Sequence, residues 1–402
     1  MAPDALHLGV ALDGAGWHPA AWREPDSRPA ELFSPGYWTD LAGIAQRGLL
    51  DFVSIEDSLT IPGTRSAPPD DAVDRVRARI DAHLIAARIA PATQHIGLIP
   101  TVTATHTEPF HVSAAIATLD HTSRGRAGWQ VKISGTGSEA AHFGRRTIRD
   151  LARAEIAEAV GAGATPGQVH ELFAEATDVV EVVRRLWDSW EDDAEIRDVP
   201  NRRFIDRDKL HYIDFQGPQF SVRGPSITPR PPQGQPVVTA LAHAPLIYEF
   251  ASRTADLVFV TPARETGPEP ILDQVVAAQA YRAGEPLRVY ADLVVFLDTE
   301  TASGAARLAR LNEVAGVEFI SDAAIFAGSA DELADLLLTW RELGVDGFRL
   351  RPGVAVDDLT AITDRLVPIL QRRNAFRTAY PDGPLRALLG LPVTVPNRYA
   401  TA

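Results

Sequence analysis

Eight apolar, β-rich runs recur along the 402-residue chain, and most gaps between them carry a helical period. That alternation constrains the fold more than any other feature, because it is the pattern of a parallel sheet joined by crossover helices. The runs are Leu6–Leu12, Phe52–Glu56, Ile96–Thr103, Gly128–Ser134, Pro236–Ala242, Leu257–Thr261, Val289–Leu297 and Gly347–Arg351. Eight strands, each followed by a helix, predict an α/β fold: a (β/α)8 TIM-like barrel, with residues 1–402 as one domain. In such a barrel chemistry gathers where the strands exit.

Between the runs, Val73–Arg88 places Val73, Val76, Ile80, Leu84 and Ala87 at spacings of three and four, which predicts a helix packed on the barrel. Glu171–Trp190 repeats the spacing with Phe173, Ala176, Val180, Val183, Trp187 and Trp190. Another helix is expected to open near Glu108-Pro109, and Ser329-Ala330-Asp331-Glu332 has the form of a capping box starting a helix through Arg341. Residues 135–235 separate the fourth strand from the fifth, far more than the roughly 2–6 residues of an ordinary βα connection. This insertion, with a hairpin around Tyr212, Phe215, Phe220 and Val222 and a flexible connector at Gly161–Gly167, is expected to lie over the strand exits as a lid. A tail covers about residues 374–402.

Composition excludes several functions. The formal net charge of −14 argues against a nucleic-acid partner, which requires clustered Lys and Arg. With no cysteine there is no disulfide, thiolate metal site or thiol nucleophile. No stretch approaches the ~18–20 apolar residues of a membrane span, and the N-terminus lacks a basic targeting region, so a cytoplasmic location is expected. Although eleven histidines are present, none forms a His-x-x-x-His or His-Glu pairing on one helix face, and no metal site is expected. A Gly-x-Ser-x-Gly elbow and a P-loop ending are both absent.

Polar residues at strand exits are the candidates for chemistry. Asp57, Thr103 and Ser134 follow strands two, three and four, and each has a plain structural alternative. Asp57 reads equally as a helix N-cap or surface ion pair, Thr103 as a strand residue with a satisfied hydroxyl, and Ser134 as the start of the turn at Gly135. The loop Gly14-Ala15-Gly16-Trp17-His18-Pro19 follows strand one, and its glycines allow backbone to approach a ligand. Trp17 and Trp129 are candidates for a cavity wall, with core packing the alternative for Trp129.

The segments ALDGAGWHPAAWR, SIEDSLTIPG, TVTATHTEPFH, TLDHTSRGRAGWQVKIS and HYIDFQGPQFSVRGPSITPRPPQGQPV, taken in order, resemble the bacterial-luciferase-like flavin monooxygenases. The likeness is greatest to the nitrilotriacetate/dibenzothiophene-sulfone monooxygenase branch. It is collinear from Leu6 to about Leu391 and most specific over Leu119–Trp129. The resemblance implies a two-component reaction: a separate flavin reductase delivers reduced FMN by diffusion, and the flavin combines with O2 as a C4a-peroxyflavin that oxygenates a small organic substrate. It further implies flavin contacts at Asp57, Thr103 and Ser134, and a role for His18 in orienting the hydroperoxide or exchanging a proton. His111 matches the family's Glu-Pro-aromatic-His pattern and is the second catalytic candidate, with a buried histidine bonded to a neighbouring loop as the stronger alternative. A homodimer is expected by analogy.

Two departures stand out. Where relatives carry paired serines for the FMN phosphate, this chain has Ala242-His243-Ala244-Pro245, so the amides of His243 and Ala244 and the next helix's N-terminus are expected to serve. Where relatives place a tyrosine after Phe-Gly, Phe143-Gly144 is followed by Arg145, Arg146 and Arg149, either a substitute phosphate partner or a solvated face. These departures keep two other functions open, a deazaflavin-dependent hydride-transfer enzyme and a non-catalytic flavin-binding barrel.

Overall fold

The computed structural model describes residues 5–61, 73–151, 155, 165–282 and 284–400. All eight β-rich runs form strands: β1 His7–Leu12, β2 Phe52–Ile55, β3 Gly97–Thr103, β4 Gly128–Lys132, β5 Val237–Ala242, β6 Leu257–Val260, β7 Arg288–Leu297 and β8 Gly347–Pro352. Each pairs in parallel with its neighbours in chain order, and β8 pairs with β1, which closes the barrel. One further strand, Ala324–Gly328, pairs with the exit half of β7 at Leu293–Leu297. It has no strong alternation of buried and exposed residues, and it is absent from the eight runs expected from sequence.

The period-two geometry of strands explains what fills the barrel. Leu8, Val10, Leu12, Val53 and Ile55 point outward into the main core beneath the helices, whereas Phe52, Ile99, Val237, Leu257, Phe259 and Tyr290 meet inside. Leu385, Leu388, Leu389 and Leu391 of the tail enter that inner cluster from the end where the strands begin. A Cβ on Gly97, the first residue of β3, would collide with Leu385. The tail therefore stoppers the barrel from below.

The helices follow their sequence signals with one clear exception. α1 spans Pro35–Arg47, α2 Ala82–Ile89, α3 Pro109–Ser123, α4 Gly137–Phe143, α5 Gly167–Asp188 and α6 Pro245–Thr254. The capping box at Ser329–Glu332 is made in both directions and opens the helix Ala330–Glu342. The expected helix over Val73–Arg88 is shorter than its periodicity suggests. Asp81 caps it by accepting from the Leu84 amide at 2.8 Å, residues 73–81 run without helical structure, and Val73 and Leu84 are exposed instead of packed. Arg79 in this segment is drawn to Asp13 across the barrel mouth, an attraction that apolar spacing does not register.

The insertion divides between the two ends of the barrel. α4 follows the exit of β4, while α5 lies along the wall with Ala176, Val180, Val183 and Trp187 buried and Trp187 Nε1 donating to the Ser113 carbonyl of α3. Because α5 returns antiparallel to the strands, the chain leaves it at the end where strands begin. There Arg230 bonds Asp188, His121 at the close of α3 bonds the Pro229 carbonyl, and Trp190 bonds that of Ser226. The expected hairpin forms as Phe215–Gln216 against Ser221–Val222 and lies against α5, beside Val182 and Leu186. Residues 161–164 of the expected connector lie outside the described residues.

The most family-specific run, Leu119–Trp129, also works at the lower end. Asp120 accepts from the Ala127 amide and from the Gln233 amide and side chain, and burial pushes its carboxyl up to about 6. Arg126 is buried and donates to the carbonyls of Ala90, Thr93, Ile96 and Ser123. Among the described residues no helix is long and apolar enough to cross a membrane. Removing part of the tail's stopper tests its importance: Leu385→Ala is expected to lower unfolding free energy by about 2–5 kcal/mol in a urea titration.

Candidate active site at the strand exits

Above the apolar stopper the barrel interior becomes ionic. Arg349 and Arg351, two residues apart on β8, both face inward, and Asp292 on β7 lies between them. Arg349 is fully buried: Nε and Nη2 donate to Asp292 at 2.8 and 2.5 Å, Nη1 donates to Gln130, Ser54 and Glu56, and the guanidinium lies 3.7 Å from the Phe259 ring centroid. Arg351 bonds Asp292 and Asp322 and lies 4.4 Å from the Trp17 ring centroid. Burial disfavours its charge, yet Asp292 and Asp322 hold its pKa above the ordinary arginine value. Apart from Trp17, none of these residues is among the candidates drawn from the sequence, although the alternation Arg349-Leu350-Arg351 inside an apolar strand is a signal that could have found them.

On this floor stands a cavity of about 190 Å³ at the exits of β1 and β2. Its lining includes Asp13, Trp17, Trp22, Phe33, Trp38, Glu56, Arg75 and Arg79. The loop after β1 is held down at Gly16, whose φ of +136° suits glycine and whose Cβ position would collide with Gly353 and Val354. The amides of Trp17 and His18 donate to the carbonyls of Pro352 and Gly353 at 3.0 and 3.1 Å, which aims the Trp17 ring into the cavity.

His18 is buried in this loop. Its Nδ1 accepts from the Ala20 amide at 3.0 Å, so Nε2 carries the proton and donates to Asn312 Oδ1 at 3.0 Å. Both nitrogens are engaged, and in this arrangement the ring fixes the loop. Burial lowers its pKa.

The other candidates divide into groups. Asp57 is not a helix N-cap, which for α2 is Asp81, but its carboxylate accepts from the Ser58 and Ala82 amides at 2.6 and 3.0 Å, and burial raises its pKa despite those bonds. Ser134 donates to Glu139, which also accepts from the Ser58 hydroxyl and Leu59 amide, so this hydroxyl too is occupied. Thr103 is buried at the exit of β3, in register with Lys132, whose Nζ donates to the Asp57 carbonyl at 2.5 Å. Asp57, Thr103 and an exposed His111 surround a smaller cavity of about 120 Å³. Trp129 is fully buried with Val112 and Ile116 on the outer side of β4, and its Nε1 donates to the Val102 carbonyl. It is a packing residue, not a cavity wall.

At the opposite side of the ring, an exposed His243 and Ala244 precede α6. Ala244 is its N-cap, extended at φ −153° and without a side-chain cap; Pro245 has no N–H and the Ile247 and Tyr248 amides donate to the Ala244 carbonyl, so the Leu246 amide is the one in this first turn that can meet an anion. The arginines after Phe143 are all in ion pairs, Arg145 with Glu108, Arg146 with Glu175 and Arg149 with Glu155. Their acids already neutralise them, which favours the structural alternative.

The sequence model of the luciferase-like monooxygenases matches residues 17–317. The chain belongs to this family. It is a flavin-dependent monooxygenase by that membership, and its relatives include the branch expected from the motifs. It is 31% identical to N-acetyl-S-(2-succino)cysteine monooxygenase of Bacillus subtilis (strain 168), covering 98% of each chain. To nitrilotriacetate monooxygenase component A of Aminobacter aminovorans it is 27% identical over 96% of each. Among solved structures, a long-chain alkane monooxygenase matches with a TM-score of 0.83 at 23% identity, covering 96% of this chain and 95% of that one. A riboflavin lyase, solved with modified FMN and riboflavin, matches at 0.78 and 24%, covering 96% of each. These two likenesses show the shared barrel.

The monooxygenase's buried network and its loop each give an expectation. Asp292→Ala leaves two buried guanidiniums short of their shared carboxylate, and a loss of about 3–5 kcal/mol is expected in denaturant unfolding. Because His18 has a lower pKa folded than unfolded, protonation favours the unfolded chain. Its stabilising contribution is complete above about pH 6.5 and is lost as pH falls through the lower folded value. Thermal melts from neutral to mildly acidic pH should therefore decline more steeply for the native protein than for His18→Gln.

Proposed function

We propose that this chain is the oxygenating component of a two-component system that uses reduced FMN and O2 to oxygenate a small organic substrate. The observation that carries the reading is the likeness to the succinocysteine monooxygenase over 98% of each chain. A relative designated component A supports a separate reductase. In outline, substrate, O2 and reduced FMN give hydroxylated or S-oxygenated product, water and FMN. When bound, the reduced flavin supplies the two electrons.

The residues present fit such a group. The uncapped start of α6 is a place for its phosphate, with His243 and Ala244 contributing backbone amides and His243 an additional donor. Thr103 stands at the β3 exit to meet the ring system, and the Thr101 hydroxyl, one inward position below, is buried without a protein partner. Asp57 and Ser134 contribute by fixing the exits of β2 and β4, since their side chains are already bonded to neighbouring backbone and to Glu139. Trp17 forms a wall of the substrate cavity and His18 holds that wall in place. Apolar rings around the cavity exclude water, which protects the reactive flavin from unproductive discharge.

The changed phosphate residues favour one comparison above others, that of reduced FMN with a reduced deazaflavin. Reduced FMN is expected to bind more tightly in an anaerobic titration. On rapid mixing of the complex with O2, a transient spectrum distinct from reduced and oxidised flavin should appear. Oxidation at the rate of free flavin, with tighter deazaflavin binding, would assign the barrel to hydride transfer instead.

A further inference from the structure

The cavity beside Trp17 has a chemistry of its own. Four aromatic rings, Trp17, Trp22, Phe33 and Trp38, give it an apolar body, while Arg75 and Arg79 bring guanidinium groups from the segment that crosses the mouth. Arg79 Nη2 donates to both oxygens of Asp13, at 2.8 and 2.9 Å. A carboxylate is thus already seated on a guanidinium at the cavity's edge, and it belongs to the chain itself.

We propose that the substrate carries a carboxylate on an apolar body, and that Arg79 recognises it by exchanging Asp13 for the ligand. The proposal rests on the reading of this mouth as a flavin monooxygenase site. Two further observations support it. Glu56, the other acid of the cavity, is already compensated from below by Arg349 at 3.2 Å and by the Gln130 amide, so its charge does not cancel the cavity's arginines. Asp13 is a weakly committed partner, because burial raises its carboxyl pKa even with Arg79 beside it. A ligand carboxylate can take over Arg79 while Asp13, itself partly exposed, turns to water.

The flavin phosphate is the competing anion, and topology separates the two. β1, which carries Asp13 and Trp17 at its exit, and β5, which leads into His243-Ala244, are four strands apart in a ring of eight and so lie opposite each other. A flavin whose phosphate were held at α6 would keep that phosphate across the ring from Arg79.

The test uses the full chain and its tryptophan fluorescence, titrated with phenylacetate, the neutral phenylacetamide and the cation phenethylamine. Phenylacetate is expected to bind at least about tenfold more tightly than the amide, the scale of one charge-assisted hydrogen bond. Arg79→Gln should erase that preference, whereas Asp13→Asn, which removes the internal competitor, should enlarge it. Equal binding of acid and amide, tightest binding of the amine, or an undiminished preference in Arg79→Gln would overturn the proposal. So would a loss of preference in Asp13→Asn. Titration of Arg79→Gln with reduced FMN and reduced riboflavin separates the sources of the anion: a loss confined to FMN assigns Arg79 to the flavin phosphate and rejects it as the substrate's partner. If the native protein binds no reduced flavin, the functional reading fails while a carboxylate preference still stands.

Discussion

Two arginines on one strand and one aspartate on the next hold the interior of this barrel. At that depth an unpaired charge costs several kcal/mol, so Arg349, Arg351 and Asp292 fix each other's positions. Their remaining donors reach Ser54, Glu56, Gln130 and Asp322, and their faces lie against Phe259 and Trp17. Residues from β2, β4, β6, β7 and β8, together with the loop after β1, are thus organised by one network. Well-packed apolar side chains can match the stability of such a network. What they cannot supply is a rigid polar floor, with Glu56 and Trp17 held at defined positions beneath a cavity where charge is to be rearranged.

The eight strands were legible because a strand buried inside and out reads as an unbroken apolar, β-branched run, and the limits of β1, β3 and β5 follow such runs closely. Where a second interaction competes, the pattern misleads. The apolar spacing of Val73–Ile80 suits a helix, but Asp81 starts the helix later and Arg79 reaches for Asp13. The end of the barrel to which each part of the insertion belongs depends on the direction of α5, which no local spacing encodes.

The candidate site was only partly legible for a related reason. Sequence identifies groups that can bond but not the bonds they have already made. Asp57, Ser134 and His18 stand near the exits as expected, yet backbone amides, Glu139 and Asn312 have taken their polar atoms. Asp120 and Arg126, inside the most recognisable run of the chain, turn out to secure the end remote from the cavity. Glu56, Arg79 and Asp13 gain their importance from contacts across 66 and more residues of chain, which are invisible before folding.

The leucines that stopper the lower end also decide the traffic of the molecule. With Leu385, Leu388, Leu389 and Leu391 packed against the first inner layer, the barrel is a blind vessel and not a channel. Whatever binds at the mouth must depart by the opening through which it arrived. Entry and exit share a single doorway, so binding at the mouth becomes a matter of queuing, with each newcomer waiting for the last guest to leave.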